Sequence, residues 1–201
     1  MQKFWNKDIF YSALFIGLAI LTKGPVAMLV FGLCFLVLRL RKRAPIMRWN
    51  HFTLYVLTIL GVGGVWFAVL AAQGNAHIII EFILYQIRLF STEDAGHGGP
   101  FYYHWVVLLV GCFPASVLAL TAFRGANNDT PFELHIKKVM RLLFWIVLIL
   151  FSFVKTKIVH YSSLCWFPLT FLGAYTLYKV MAGQVNWKRW QTIFLLVIGF
   201  F

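Results

Sequence analysis

The sequence predicts an all-α integral membrane protein, with about six or seven transmembrane helices and one amphipathic helix lying in an outer loop. Three observations carry that reading. Of 201 residues, 61% are hydrophobic, only 12% are charged, and the mean hydropathy is +0.81, a balance foreign to soluble globular domains. The apolar residues come in runs that approach the roughly 20 needed to cross hydrocarbon as a helix. The 18 Lys and Arg residues lie mostly between those runs, so the net charge of +12 marks cytoplasmic loops rather than a nucleic-acid surface.

Residues 1–201 read as a single transmembrane domain, taken element by element as follows. Phe4 to Thr22 is a first span, interrupted by Lys23-Gly24-Pro25, where Pro25 cannot continue the helix without losing a hydrogen bond. Val26 to Leu40 is a second, short span; the alternative is one long span from Ile9 to Leu38 with Lys23 near its middle. Arg39, Arg41, Lys42, Arg43 and Arg48 then form the densest basic cluster, which the positive-inside rule places in the cytoplasm. Phe52 to Ala72 crosses outward. Residues 73–104 form an extracytoplasmic loop that opens with an amphipathic helix: His77, Glu81, Tyr85 and Arg88 share one face, and Ile78, Ile79, Phe82, Ile83, Leu84 and Ile87 cover the rest. The polar stretch Ser91 to Pro100 follows, and Phe101, Tyr102, Tyr103 and Trp105 form an aromatic belt where the chain re-enters the bilayer. Trp105 to Phe123 returns inward to a second basic loop, Arg124 to Arg141. Leu142 to Val154 crosses outward to the short turn Lys155 to Tyr161. Ser162 to Tyr178 returns to Lys179, Lys188 and Arg189, and Thr192 to Phe201 begins another span.

The charges test this topology. Of the 18 Lys and Arg residues only Lys23, Arg88, Lys155 and Lys157 fall outside, and 14 fall inside. Ala95 is thus expected outside and Ala126 inside. The three cysteines, Cys34, Cys112 and Cys165, sit within apolar runs and show neither disulfide nor metal spacing. The chain lacks a signal-peptide cleavage site and stops within an apolar run, and so reads as part of a longer protein.

The four outer cations run against the charge bias. Snorkelling to lipid head groups accounts for a lone Lys at a span end. Cations beside polar aromatic residues in three separate outer turns fit a lipid-linked phosphate as well, because Lys and Arg give charge-assisted hydrogen bonds to phosphate oxygens. His77, His97, His104 and His160 fall on the same side, where a divalent metal ion with Glu81, Glu93 or Asp94 is one reading and interfacial hydrogen bonding the other. Glu93-Asp94 offers a general base or a solvated acidic pair. No Walker, dinucleotide-binding, Ser-His-Asp or zinc-protease pattern is present. A transporter of lipid-linked glycans is the rival class, although transporters place ionisable groups near the midplane, whereas these cations gather at one face.

Three motifs make the resemblance specific. Gly17-Leu18-Ala19-Ile20-Leu21-Thr22-Lys23-Gly24-Pro25 resembles the GLAxLTKGP signature of bacterial glycosyltransferases that use lipid-phosphate sugars. Arg88-Leu89-Phe90, followed by His97-Gly98-Gly99-Pro100-Phe101-Tyr102-Tyr103, resembles an outer loop of that group. Phe151 to Tyr161, FSFVKTKIVHY, resembles its FSxxKTKxxHY segment, with Pro168 in the next span. The group is the GT-C class containing the lipid A aminoarabinose transferases and the protein O-mannosyltransferases. The resemblance implies sugar transfer from a polyprenyl-phosphate carrier to a lipid, glycan or protein acceptor at the outer face of the bacterial inner membrane. It implies that Lys23, Arg88, Lys155, Lys157, His160 and Tyr161 bind the carrier phosphate or line its cavity, and that His97 is a metal ligand. It places the catalytic acid upstream of the Lys23 helix, so no catalytic residue is expected in this chain. Membrane lipid is an expected partner and nucleic acid is not.

Overall fold

The computed structural model describes residues 6–41, 48–93, 97–124 and 129–200. Lys42, Arg43, Asp94, Ala95 and Ala126, which the topology and site readings use, lie outside the described residues. Every regular element among the described residues is helical. The chain divides into two compact units, residues 1–87 and 88–201.

In the first unit α1 (Asn6–Lys23) and α2 (Pro25–Leu40) are separate helices. Gly24 breaks them with φ 67, a left-handed conformation that glycine adopts without steric cost, and Pro25 opens α2 at a position where its missing N–H is not needed. This supports two helices over the single long one. Helix α3 (Trp49–Gly63) packs closely along α1. A side chain at Gly17 would begin 2.8 Å from the Val62 Cβ, and one at Gly63 would begin 3.2 Å from the Ile20 Cβ. Small residues at such a crossing let two backbones approach, as in packed membrane helices. Ile9, Ala13, Tyr55 and Ile59 form the core there, with Ile16, Ile20, Phe31 and Leu54 around it. Helix α4 (Val65–Ala72) continues α3 after a 52° bend. Helix α5 (Ala76–Ser91) has the predicted amphipathic pattern, and its last residues, from Arg88, belong to the second unit.

In the second unit α6 (Tyr103–Gly111) and α7 (Ala115–Ala122) meet at 106°. The sequence reading gives one straight span here. Pro114 precedes α7 and has no N–H for a continuous ladder. Helix α8 (Pro131–Phe153) begins well inside the stretch predicted as a basic loop. Thr130 and Glu133 make a reciprocal capping box, and Pro131 occupies the first turn; the loop therefore ends by Thr130. A 3-10 segment, Val159–Cys165, leads into α9 (Trp166–Met181), which packs tightly on α7: a side chain at Gly173 would begin 2.9 Å from the Ala115 carbonyl oxygen. Helix α10 (Arg189–Gly199) is tied to α7 by the buried Gln191, whose amide donates to the Thr121 hydroxyl. Val117, Val147, Leu148, Cys165 and Leu172 form the dry centre of this unit.

Among the described residues no single helix is long and apolar enough to cross a membrane. The pairs α3–α4 and α6–α7 reach that length and composition only as bent helices. Large apolar side chains are exposed along many helices, including Leu40, Leu57, Ile80, Leu84 and Leu196.

Candidate functional site

The site is built where the end of α5 and the loop after it meet the end of α8. Three hydrogen bonds join these stretches. The Lys155 amide donates to the Phe90 carbonyl at 3.3 Å, the Thr156 hydroxyl to the Thr92 carbonyl at 2.7 Å, and the Lys157 amide to the His97 carbonyl at 2.6 Å. Each member of Lys155-Thr156-Lys157 is thereby fixed. The extended Val154 ends α8, so Lys155 and Lys157 leave the turn separately rather than on one helix face. Thr156, fully buried, is the residue that sequence reasoning passes over; its place between two lysines in an otherwise apolar run is the only signal.

The two lysines have different environments. Lys157 is 5% exposed, and its ammonium donates to the carbonyls of Phe151, Ser152 and Val154 at 3.2, 2.7 and 2.6 Å. These are end carbonyls of α8, which lack partners within the helix and carry the negative end of its dipole. Burial pushes the Lys157 ammonium below the ordinary lysine range. With its three donors used, the Lys157 ammonium holds the end of α8, while its stem lines the cavity beside Lys155. Lys155 is exposed and borders a cavity of about 590 Å³. Ser91, Thr92 and Glu93 line one wall, Ser152 to Val154 another, and Gly99, Phe101 and the Lys157 stem complete it. A side chain at Gly98 would collide with the Glu93 carboxylate, so the glycine pair lets the acid and the lysine stem fold over the loop.

The remaining predicted residues are distributed as follows. Arg88 is exposed on the last turn of α5, and its carbonyl accepts from both the Thr92 amide and hydroxyl at 2.8 Å, which starts the loop. His97 is exposed and joins the site through its backbone. His160 is exposed beside Tyr161, whose ring packs against Phe151 with centroids 5.3 Å apart. Lys23 is exposed at the end of α1, in the first unit. Among the described residues no group of three or more His, Cys, Asp or Glu side chains assembles in metal-binding fashion.

A second polar cluster occupies the opposite end of the second unit. Lys137 and Asp129 pair at 2.6 Å with side chains 1% and 2% exposed, and Lys179 pairs with Glu133 at 3.0 Å. The Tyr175 hydroxyl donates to Asp129. Burial pushes the Asp129 carboxyl up, but the hydrogen bonds from Lys137 and Tyr175 outweigh it and hold the group below the ordinary Asp range. Glu133 is likewise held low, chiefly by the Thr130 backbone N–H and then by Lys179.

Comparison with known proteins finds relatives of this sequence. The chain is 32% identical over 167 residues to an undecaprenyl phosphate-alpha-4-amino-4-deoxy-L-arabinose arabinosyl transferase of Pseudomonas paraeruginosa, a match covering 80% of this chain and 29% of that protein. The chain is homologous to that part of the transferase. Transferases of the same name from Enterobacter sp. and Shewanella sediminis are 28% identical over 163 and 168 residues, covering 79% and 81% of this chain. The chain thus spans under a third of the length of these relatives, 29%, 28% and 30% respectively. No family model matches it, and no solved structure matches it.

Proposed function

We propose that this chain forms part of a multi-pass inner-membrane glycosyltransferase, which moves a sugar from a polyprenyl-phosphate carrier to a lipid, glycan or protein acceptor at the outer face. The observation that carries the proposal is the joining of residues 91–93 and 97–101 to Ser152–Lys157 around one cavity, with Lys155 at its edge and Lys157 held behind it. The relatives' names give the carrier class, undecaprenyl phosphate, and an amino-arabinose as their sugar. Every relative compared is named a transferase, which does not favour the transporter reading. In this proposal residues 1–201 contribute to one transmembrane domain, residues 73–104 form its outer loop, and the exposed apolar side chains face lipid.

The chemistry follows from the charges. As the bond from the anomeric carbon to the phosphate oxygen breaks, negative charge grows on the departing phosphate. Lys155 and Arg88 provide cationic donors for it. Lys157 keeps the end of α8 and the turn in place. His160 and Tyr161 shape the adjoining wall. The base that takes the acceptor proton is assigned, by the family resemblance, to a part of the protein outside this chain. A divalent ion at His97 belongs to the same proposal, but without three gathered ligands among the described residues no step is routed through it.

The test is transfer from a polyprenyl-phosphate-linked sugar by the intact protein in oriented membrane vesicles. Activity is expected only where the donor reaches the outer face. Impermeant thiol reagents should label Gly99→Cys from that face and Lys138→Cys from the other. Labelling of both from one side contradicts the arrangement. Activity and bound metal that survive both a chelator and His97→Ala remove the metal assignment.

A further inference from the structure

His104 is fully buried on the first turn of α6, although it stands in an aromatic stretch that reads as an interfacial belt. Its ring meets Tyr103 edge-on with centroids 5.1 Å apart, and Phe151 at 6.2 Å. Its Nδ1 lies 3.1 Å from the Ser162 hydroxyl. That hydroxyl has one hydrogen, which points to the Val159 carbonyl at 3.3 Å. The Ser162 oxygen therefore accepts, and the imidazole donates from Nδ1. In this arrangement the other nitrogen, Nε2, is a buried acceptor with no partner among the described residues. Buried side-chain acceptors are seldom left open, so packing alone does not call for a histidine here.

The bond crosses from α6 to the 3-10 segment that carries His160 and Tyr161. The same ring touches Phe151, against which Tyr161 packs and whose carbonyl receives the Lys157 ammonium. One imidazole thus contacts Phe151, which opens the third motif at the end of α8, and Ser162, the residue that follows its last, Tyr161. We propose that His104 is a positioning residue of the carrier-phosphate site: through Ser162 it fixes the segment bearing His160 and Tyr161 against the end of α8. This rests on the transferase reading above. His104 touches no substrate in this account and acts through the turn. The neutral, Nδ1-protonated imidazole is the required form.

The experiment is a double-mutant cycle in the intact protein, reading kcat and KM separately for a polyprenyl-phosphate-linked donor, together with thermal unfolding of each variant in detergent. His104→Phe keeps a ring and loses the donor. It should raise donor KM about tenfold, with kcat within about threefold of the parent, because a displaced binding group acts first on donor binding. Ser162→Ala should do the same, and the pair together should cost no more than either alone, as groups sharing one bond behave. His104→Asn, whose amide can donate in place of Nδ1–H, should recover most of the loss. A parent protein that transfers no sugar overturns the transferase reading. A transferring parent whose His104→Phe variant keeps the parent KM, whose effects add with Ser162→Ala, or which loses only thermal stability overturns the positioning role. If His104→Phe does not fold, Ser162→Ala with unchanged KM overturns it equally.

Discussion

The two ends of α8 contain the same kinds of side chain put to opposite uses. At its start, Lys137 and Lys179 are buried and paired with Asp129 and Glu133. Each of these four charges has a partner, and the capping box completes the backbone. At its end, some 23 residues on and about 35 Å along a helix rising about 1.5 Å per residue, Lys157 is spent on helix carbonyls while Lys155 and Glu93 border an open cavity. A buried charge must be paired, whereas a charge at a cavity edge is available to a ligand. The first end is a structural clamp and the second, in the proposed function, a site; composition does not distinguish them.

The largest expected effect lies at the closed end. Lys137→Met leaves the buried Asp129 with only the Tyr175 hydroxyl and the more distant Lys179 at 3.8 Å, which should cost up to about 3–5 kcal/mol of stability, read as a lowered unfolding temperature in detergent. Adding Asp129→Asn should recover much of it, and activity per folded molecule should stay at the parent level. A large loss of turnover in the folded fraction would make this end part of the site.

Next comes the open end. Arg88→Gln should lower transfer about ten- to a hundredfold, because a charge-assisted contact is worth about 1.5–3 kcal/mol and about 1.4 kcal/mol is tenfold. Arg88→Lys should recover only part, for want of the bidentate fork. Snorkelling alone would leave Arg88→Gln at the parent rate.

Lys157→Met falls between the two ends. It strips a donor from three carbonyls, so stability should drop by about 1–3 kcal/mol and transfer should fall with it. Unchanged stability would mean that water replaces the ammonium freely.

The smallest effect is on pH. Asp129 and Glu133 are depressed in the folded state, so their contribution is complete above the ordinary carboxylate range and is lost as pH falls through and below it. Unfolding temperature should therefore decline on acidification, and less steeply in the Asp129→Asn variant. An equal slope in both would remove Asp129 from the account.

Much of this was legible in the sequence. Lys23-Gly24-Pro25 announced the break between α1 and α2, and the spacing of His77, Glu81, Tyr85 and Arg88 announced α5. The motifs picked out Lys155 and the loop it meets. What escaped depends on distance. Thr156 and Thr92 are 64 residues apart, and nothing in either neighbourhood encodes the bond. The role of Lys157 turns on the direction of its side chain, which spacing does not set. Thr130-Pro131-Phe132-Glu133 did carry a helix-start signal, but the surrounding charges made it read as loop. Pro114 likewise signals the 106° turn, which its apolar surroundings obscured.

The most direct test of the central claim compares Lys155→Gln with Lys138→Gln in the intact protein, measuring kcat/KM for a polyprenyl-phosphate-linked sugar donor at matched folded protein. Both changes remove one positive charge, the first at the cavity and the second on α8 near the closed end. The account predicts that Lys155→Gln loses about tenfold or more while Lys138→Gln transfers at the parent rate. Equal rates for the two variants would contradict it.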